Sequence, residues 1–297
     1  MKTAGVRIDL HTHSSTSDGT DTAAEVVHKA AAAGLDVVAL TDHDTAESWD
    51  EAVAAALATG ITLVRGIEIS TKHADLSVHL LAYLPDPTYA PLAEGLDRVL
   101  AGRNARVPAI CARLADLGVG VTAEDVRRLS GDAAATGRPH VADAMIAAGA
   151  VRTREEAFAH YLNPGRPAYV HRYALPLTEA IGLVRAAGGV SVVAHPWGRH
   201  GASSLPVDVI AGLRDLGLAG LEVDHQDHDA RAREQLRGIA RELDLVVTGS
   251  SDYHGTGKVG HDLGCNTTAP GELERLLDLA AAAARESGRP TPEAVRP

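Results

Sequence analysis

Short apolar runs alternate with longer amphipathic stretches along most of the chain. This alternation predicts strands linked by crossover helices, and therefore an α/β protein with a parallel sheet. The count of predicted strands, seven, suits a barrel. They span 6–10, 36–40, 61–67, 78–84, 190–194, 220–223 and 245–248.

Helix boundaries are marked by capping signals. Thr22, Thr122 and Thr153 are each followed three residues later by Glu or Asp. This spacing is typical of helix starts, because the two side chains satisfy N–H groups that lack partners within the helix. Gly60 stands where a helix is expected to end.

The strand rhythm stops between residues 89 and 169, where only helical patterns rich in Ala, Leu and Arg are found. We interpret 89–169 as a helical insertion that covers the substrate site. The barrel is then discontinuous and consists of residues 1–88 and 170–287. The Pro-containing tail, 288–297, is expected to be disordered.

The composition limits the classes of partner. The chain has 297 residues and a formal net charge of -11, which argues against broad attraction to nucleic acid. We expect a small phosphorylated substrate, such as a nucleotide or short RNA, and no stable binding of duplex nucleic acid. A phosphate group would then be attracted locally, for example by bound divalent metals.

Cysteine usage and hydropathy bear on the compartment. Cys111 and Cys265 are too few for a disulfide framework and lack a paired zinc spacing. No leader pattern precedes the polar His11-Thr12-His13, and no apolar run approaches membrane-spanning length. The expected location is the cytoplasm, away from the membrane.

Histidines and carboxylates stand at or near the ends of the predicted strands, where βα barrels build their active sites. Alone, each has an ordinary alternative, such as a turn-forming Asp or a loop His. Their common placement favours a site for zinc, manganese or iron. The segments are His11-Thr12-His13, Ser17-Asp18-Gly19, Thr41-Asp42-His43, Gly66-Ile67-Glu68, His79, Ala194-His195-Pro196 and Ser251-Asp252-Tyr253-His254.

In order, spacing and strand context, this set resembles the polymerase and histidinol phosphatase (PHP) superfamily. The resemblance implies a distorted (β/α)7 barrel of PHP type that holds two to three divalent ions (Mn, Zn or Fe). It assigns Glu68 as a bridging carboxylate. The implied ligand sets are His11, His13, Glu68 and Asp252 for one metal, Glu68, His79 and His195 for a second, and Asp18, His43 and His254 for a third.

The implied reaction is hydrolysis of a phosphate ester by a metal-bound hydroxide, since a metal cluster lowers the pKa of bound water and neutralises phosphoryl oxygens. The residues expected to carry catalysis are Glu68, Asp252, His254 and His195. The proton for the leaving oxygen could come from a histidine or from a metal-bound water, and the sequence leaves this open.

Four residues are predicted to contact the substrate. Arg138 is the first candidate for a phosphate clamp, because a guanidinium matches phosphate geometry, and His140 lies beside it. Arg199 follows His195 closely and is placed at the mouth of the site. His225 follows the sixth strand and is expected to face the site, either as a substrate contact or behind a metal ligand.

The leading functional hypothesis is hydrolysis of phosphate esters of nucleotides or short oligonucleotides, for example of a nucleoside 3′,5′-bisphosphate. The superfamily also supports an alternative, a histidinol-phosphate phosphatase. An alternative of another class is a non-catalytic metal-binding regulatory module. The complete set of expected metal ligands favours an enzyme over that module.

Overall fold

A computed structural model describes residues 5–198 and 201–297. It is a mixed α/β fold in which seven strands form a nearly closed barrel-like sheet, in the order β1-β2-β3-β4-β6-β7-β8, with the short β5 beside β3. The strands are β1 (Ile8–Asp9), β2 (Val37–Leu40), β3 (Thr62–His73), β4 (Leu76–Tyr83), β5 (Leu175–Pro176), β6 (Val190–Ala194), β7 (Gly220–Asp224) and β8 (Val246–Gly249).

Each of the seven predicted strands has a counterpart, but the expectation of a parallel sheet is wrong for one of them. β4 pairs antiparallel with both β3 and β6. The reason is local: β3 ends at His73 and β4 starts at Leu76, so a tight turn rather than a crossover helix joins them. The pair is long, and it places Glu68 opposite Leu81 in the middle of β3 rather than at its end.

Helices surround the sheet, and the predicted caps are confirmed. Thr22 and Thr122 form complete capping boxes, Thr153 accepts a hydrogen bond from the Glu156 N–H, and Gly60 ends its helix with φ 78°. The barrel helices are α1 (Ala23–Ala32), α2 (Trp49–Thr59), α8 (Leu177–Ala186), α9 (Val207–Asp215), α10 (Ala230–Glu242) and α11 (Pro270–Ser287).

The segment between β4 and β5 is helical and has a hydrophobic core of its own. Buried side chains such as Ile110, Leu114, Val126 and Met145 pack together there. Its elements are α3 (Ala90–Ala105), α4 (Val107–Asp116), α5 (Ala123–Ser130), α6 (Arg138–Ala147), α7 (Arg154–Ala157) and a π-helical turn (Phe158–Leu162).

The prediction of a disordered tail at 288–297 is wrong. Val295 and Leu63 exchange two backbone hydrogen bonds, N to O 3.0 and 2.9 Å, so the tail pairs with the start of β3. Arg289 lies over the Tyr89 ring at 4.0 Å and donates to the Ala186 carbonyl. The prolines suggested disorder, but their neighbours supply backbone and aromatic contacts that fix the segment.

Candidate metal centre

Nine buried side chains converge at one end of the barrel. Each is at most 8% exposed. Two isolated parallel bridges contribute to this: Thr12 with Tyr253 joins the segments after β1 and β8, and His43 with Glu68 joins the segment after β2 to β3. The nine are the predicted metal ligands His11, His13, Asp18, His43, Glu68, His79, His195, Asp252 and His254.

Glu68 lies at the centre of the group. Its Oε1 is 2.7 Å from His79 Nδ1 and 3.3 Å from His195 Nε2. Its Oε2 is 3.2 Å from His13 Nε2 and 3.1 Å from His43 Nδ1. The two carboxylate oxygens thus face different sets of imidazoles, which is the arrangement that a bridging carboxylate requires.

Asp252 and Asp18 complete two further sets of contacts. Asp252 Oδ1 lies 3.5 Å from His11 Nε2 and 3.4 Å from His13 Nε2. Asp18 Oδ1 lies 3.2 Å from His254 Nε2, and its Oδ2 lies 3.6 Å from the Nε2 atom of His43. Each aspartate therefore faces two imidazoles across a gap of the size a metal ion fills.

The charges of the group are strongly coupled. Burial opposes ionisation of Asp18, but His43 and His254 hold its pKa well below the usual value. Burial alone would lower the pKa of His13, yet hydrogen bonds to Asp252 and Glu68 raise it to about 9. The carboxylates thus stay ionised and supply the negative charge that favours a bound cation.

The donor set fits divalent metal ions. His11 Nε2 and His13 Nε2 are only 3.0 Å apart, and Asp18 Oδ1 is buried without a hydrogen-bond partner. Imidazole nitrogens and carboxylate oxygens are the usual ligands of zinc, manganese and iron. Among the described residues, four groups have donor atoms within 4.8 Å of one another: His13, Asp18, His43 and His254; His11, His13 and Asp252; His43, Glu68 and His79; and His225, Asp252 and His261.

Three of the six non-glycine residues with positive φ in the described part of the chain lie at this centre. Asp44, His195 and Asp252 have φ values of 59°, 30° and 53°, a left-handed region that non-glycine residues rarely adopt. Such strain persists only where the surroundings enforce it, and it marks functional sites. Here it turns His195 and Asp252 toward the cluster at the ends of β6 and β8.

Glu222 contacts two of the predicted metal ligands, and it was not among the residues predicted from the sequence. Its Oε1 lies 3.0 Å from His11 Nδ1, and its Oε2 accepts a hydrogen bond from the His195 N–H at 2.8 Å. A carboxylate on the far nitrogen orients a ligating imidazole. The detectable signal was a Glu inside an apolar strand, because a buried strand tolerates a charge only where a partner exists.

His225 lies against Asp252. Its ring is fully buried, its Nδ1 accepts from the Asp227 N–H at 3.1 Å, and its Nε2 lies 3.3 Å from Asp252 Oδ2. The Lys258 ammonium also contacts this oxygen. His225 is thus placed to donate to a predicted metal ligand, and its contact with substrate stays a prediction.

Four arginines gather beside the cluster, where the insertion meets the barrel. Arg103 lies 3.1 Å from Asp44 Oδ2. Arg106 is 6% exposed, and its Nε has no hydrogen-bond partner. Burial, followed by the charges of Arg138, Arg172 and Arg103, lowers the pKa of Arg106 to about 8. We call Arg103, Arg106, Arg138 and Arg172 the arginine cluster; apart from Arg138, the sequence reading missed it.

The other predicted substrate residues differ in position. His140 is buried, and its Nδ1 accepts from the Gly137 N–H at 3.1 Å, so the proton of the neutral ring is on Nε2. Arg138 donates to the Leu162 carbonyl and lies 5.3 Å from the Phe158 ring centre. Arg199 lies outside the described residues.

The hydropathy of the described helices bears on whether one of them could span a membrane. None of the helices in residues 5–198 and 201–297 is long and apolar enough to cross a membrane.

Comparisons with known proteins agree with this geometry. A family model for the PHP domain matches residues 9–111. The chain is 34% identical to a 3′,5′-nucleoside bisphosphate phosphatase from Chromobacterium violaceum, over 89% of this chain and 92% of the relative. It is 33% identical to a 5′-3′ exoribonuclease from Haemophilus influenzae, over 84% of this chain and 90% of the relative.

A solved structure gives the same result. A metal-dependent phosphoesterase from Bifidobacterium adolescentis superposes with a TM-score of 0.89 at 36% identity, covering 93% of this chain and 96% of the other. Relatives and fold thus agree with the resemblance found in the sequence. The chain is a hydrolase that belongs to the PHP domain family of metal-dependent phosphoesterases.

Proposed function

We propose that this enzyme hydrolyses phosphate esters of nucleotides or short oligonucleotides, with a nucleoside 3′,5′-bisphosphate as the preferred class of substrate. The products are a nucleoside 5′-monophosphate and inorganic phosphate. The named relatives act on a nucleoside bisphosphate and on RNA, which supports this class. The cytoplasmic location stays a prediction from the sequence.

The nine clustered side chains are proposed to hold two to three divalent ions of Mn, Zn or Fe. His11, His13, Glu68 and Asp252 would hold one, Glu68, His79 and His195 a second, and Asp18, His43 and His254 a third. When bound, the metals would supply an activated hydroxide and neutralise charge on the phosphoryl oxygens. Glu68 is assigned to two of these sets because each of its oxygens faces different imidazoles.

The chain's own residues would prepare this centre. Glu222 fixes the ring of His11 and the backbone of His195, so both imidazoles keep one orientation. His225 donates to Asp252 and limits its rotation. Fixed ligands lower the cost of reorganisation during reaction, which is how a preorganised polar site accelerates a step.

The observation that carries the substrate class is the arginine cluster. Arg106 is a buried cation whose Nε lacks a partner, and a bound phosphate would supply the missing negative charge. A metal centre together with a separate basic centre suits a substrate with two phosphates. Histidinol phosphate carries one phosphate and an ammonium group, which Arg106 and its neighbours would repel.

The test is a substrate panel. The manganese-loaded protein would be assayed for phosphate release from adenosine 3′,5′-bisphosphate, adenosine 3′-monophosphate and histidinol phosphate, and for cleavage of short 5′-phosphorylated RNA. We expect the bisphosphate to exceed the monophosphate in kcat/KM by about 10-fold or more, since charge-assisted hydrogen bonds each contribute about 1.5–3 kcal/mol. Equal kcat/KM values for the bisphosphate and the monophosphate would contradict the argument based on the arginine cluster.

The matched variant is Glu68→Gln, which keeps the shape of the side chain and removes its charge. Because Glu68 faces five imidazoles, this change should abolish turnover and lower bound metal. Full metal content and turnover in Glu68→Gln would contradict the bridging assignment. Inactivity of the wild-type protein on every nucleotide and oligonucleotide would reject the proposed function.

A further inference from the structure

Arg154 links the helical insertion to the loops of the metal centre. It begins α7, and Asp143 on α6 fixes its guanidinium with contacts of 2.7 Å at Nε and 2.6 Å at Nη2. The remaining nitrogen, Nη1, donates to the Asp18 carbonyl at 3.1 Å and lies 3.4 Å from the Gly257 carbonyl. Its side chain is 11% exposed, so water competes little for these contacts.

The two carbonyls belong to the segments that carry two predicted ligands of one metal. Asp18 is itself such a ligand, and Gly257 ends the 3-10 turn (Gly255–Gly257) that directly follows the ligand His254. The segments also contact each other, since the Thr20 N–H donates to the His254 carbonyl at 3.2 Å. A single guanidinium therefore holds both segments from outside the barrel.

Gly257 shows how closely Arg154 approaches. A Cβ added at Gly257 would overlap Nη1 and the central carbon of the guanidinium. Gly257 has no left-handed φ, so its small size, rather than backbone freedom, is what this position requires. An alanine there would displace the guanidinium without changing its charge.

We propose that Arg154, oriented by Asp143, is a positioning residue for the metal group formed by His13, Asp18, His43 and His254. This rests on the metal centre of the proposed function and adds a coupling: the insertion helps to set the metal affinity of the barrel. By reciprocity, a metal bound to Asp18 and His254 stabilises the docked position of the insertion.

The chemical basis is the fixed geometry of a ligand pair carried by two separate loops. If Arg154 is removed, the carbonyls of Asp18 and Gly257 lose a charged donor, and Asp143 loses its counter-ion. The loops can then separate, and metal binding becomes weaker by the entropic cost of bringing the two ligands together. Outer contacts of this kind typically change metal affinity about 10- to 100-fold.

The experiment measures metal binding rather than activity alone. Metal-free wild type, Arg154→Met and Gly257→Ala would be titrated with Mn²⁺ by calorimetry, and bound metal per chain would be counted after dialysis. Both variants should weaken one class of Mn²⁺ sites by about 10-fold or more, while the sites around Glu68 stay filled. Arg152→Met is the control, because Arg152 is exposed and, among the described residues, its side chain forms an ion pair with Glu156 alone.

The double variant that combines Arg154→Met with Gly257→Ala makes the test specific. If Gly257→Ala acts by displacing Arg154, the double variant should bind Mn²⁺ no more weakly than Arg154→Met, whereas independent effects would multiply. Asp143→Asn gives a milder change should Arg154→Met fail to fold, and it should weaken the same class of sites.

Two results for the variants would overturn the proposal: Mn²⁺ binding by Arg154→Met and Asp143→Asn equal to that of Arg152→Met, or multiplicative losses in the double variant. Wild type that binds Mn²⁺ but neither releases phosphate from the nucleotides nor cleaves the short RNA would reject only the proposed function. Wild type that binds no Mn²⁺, Zn²⁺ or Fe²⁺ would reject both.

Discussion

Replacing Arg106 with Met should stabilise the fold and weaken substrate binding at the same time. Arg106 joins α3 to α4, is 6% exposed, and has an Nε without a hydrogen-bond partner. Most substitutions of buried charged residues destabilise, because a partner is left unpaired. Here the missing partner is the proposed substrate, so the sign in phosphate-free buffer should be reversed.

The size of the effect follows from the electrostatics. Burial and the neighbouring arginines lower the pKa of Arg106 from 12.5 to about 8. At about 1.4 kcal/mol per pKa unit, this fall corresponds to an upper bound of about 6 kcal/mol for holding the cation in place. Counter-ions that approach Arg106 reduce the cost. We therefore expect Arg106→Met to raise the free energy of unfolding by about 1–3 kcal/mol, with the methionine retaining the packing of the arginine stem.

Two assays measure the two halves of this prediction. Urea unfolding of metal-free protein in phosphate-free buffer gives the stability, and added inorganic phosphate should stabilise wild type more than Arg106→Met. Steady-state kinetics on adenosine 3′,5′-bisphosphate should show a KM for Arg106→Met about 10- to 100-fold higher than for wild type, with a smaller change in kcat. The reason is that the lost contact stabilises the bound substrate and the transition state about equally.

Arg103→Met is the matched control. Arg103 is 3% exposed but has partners, since its Nη2 lies 3.1 Å from Asp44 Oδ2 and 2.9 Å from Ser70 Oγ. Its removal should destabilise by about 3 kcal/mol, the reverse of the Arg106 effect. Arg106→Met that is less stable than wild type in phosphate-free buffer, with KM unchanged, would refute the reasoning.

Three further predictions concern other parts of the molecule. Glu222→Gln should reduce metal affinity about 10- to 100-fold in a Mn²⁺ titration, because an amide holds the His11 ring less strongly; unchanged affinity would contradict this. The pKa of His13 is raised to about 9, so below pH 9 a metal ion must displace a proton from this ring. Mn²⁺ affinity should therefore rise by up to about tenfold per pH unit between pH 7 and 9. A flat profile would show that His13 carries no such proton. Deleting residues 289–297 removes the backbone pair at Leu63 and should lower the free energy of unfolding by about 1–3 kcal/mol, measured by urea unfolding; an unchanged midpoint would show that the tail contributes nothing.

The clustering of the nine candidate ligands could be predicted because a barrel brings the ends of distant strands together. His11 and His195 lie far apart in sequence, but both follow strands whose carboxyl ends meet at one rim. Hydrophobic runs locate strands well, and each run here has its counterpart. The direction of β4 could not be read in this way, because an apolar run looks the same in either direction and only the two-residue turn after His73 decides it.

Contacts made by single side chains across the fold were less predictable. Arg103, Arg106 and Arg154 stand in helical stretches among other arginines, and in the sequence they resemble residues of a solvated helix face. Burial distinguishes them, and burial depends on how the insertion packs against the barrel. Glu222 differs, since a charge within an apolar strand was visible in the sequence.

The arginine cluster also resolves an apparent conflict between the chain's net charge and its substrate. A net charge of -11 repels polyanions at long range, but at physiological ionic strength this field is screened over about 8 Å. A long duplex must bring many phosphates close to the acidic surface, whereas a nucleotide brings only a few phosphates close to Arg106 and its neighbours. Under the proposed function, the same distribution of charge would exclude long nucleic acid and admit a small phosphate ester, and raising the ionic strength should diminish this discrimination rather than the binding of the small substrate.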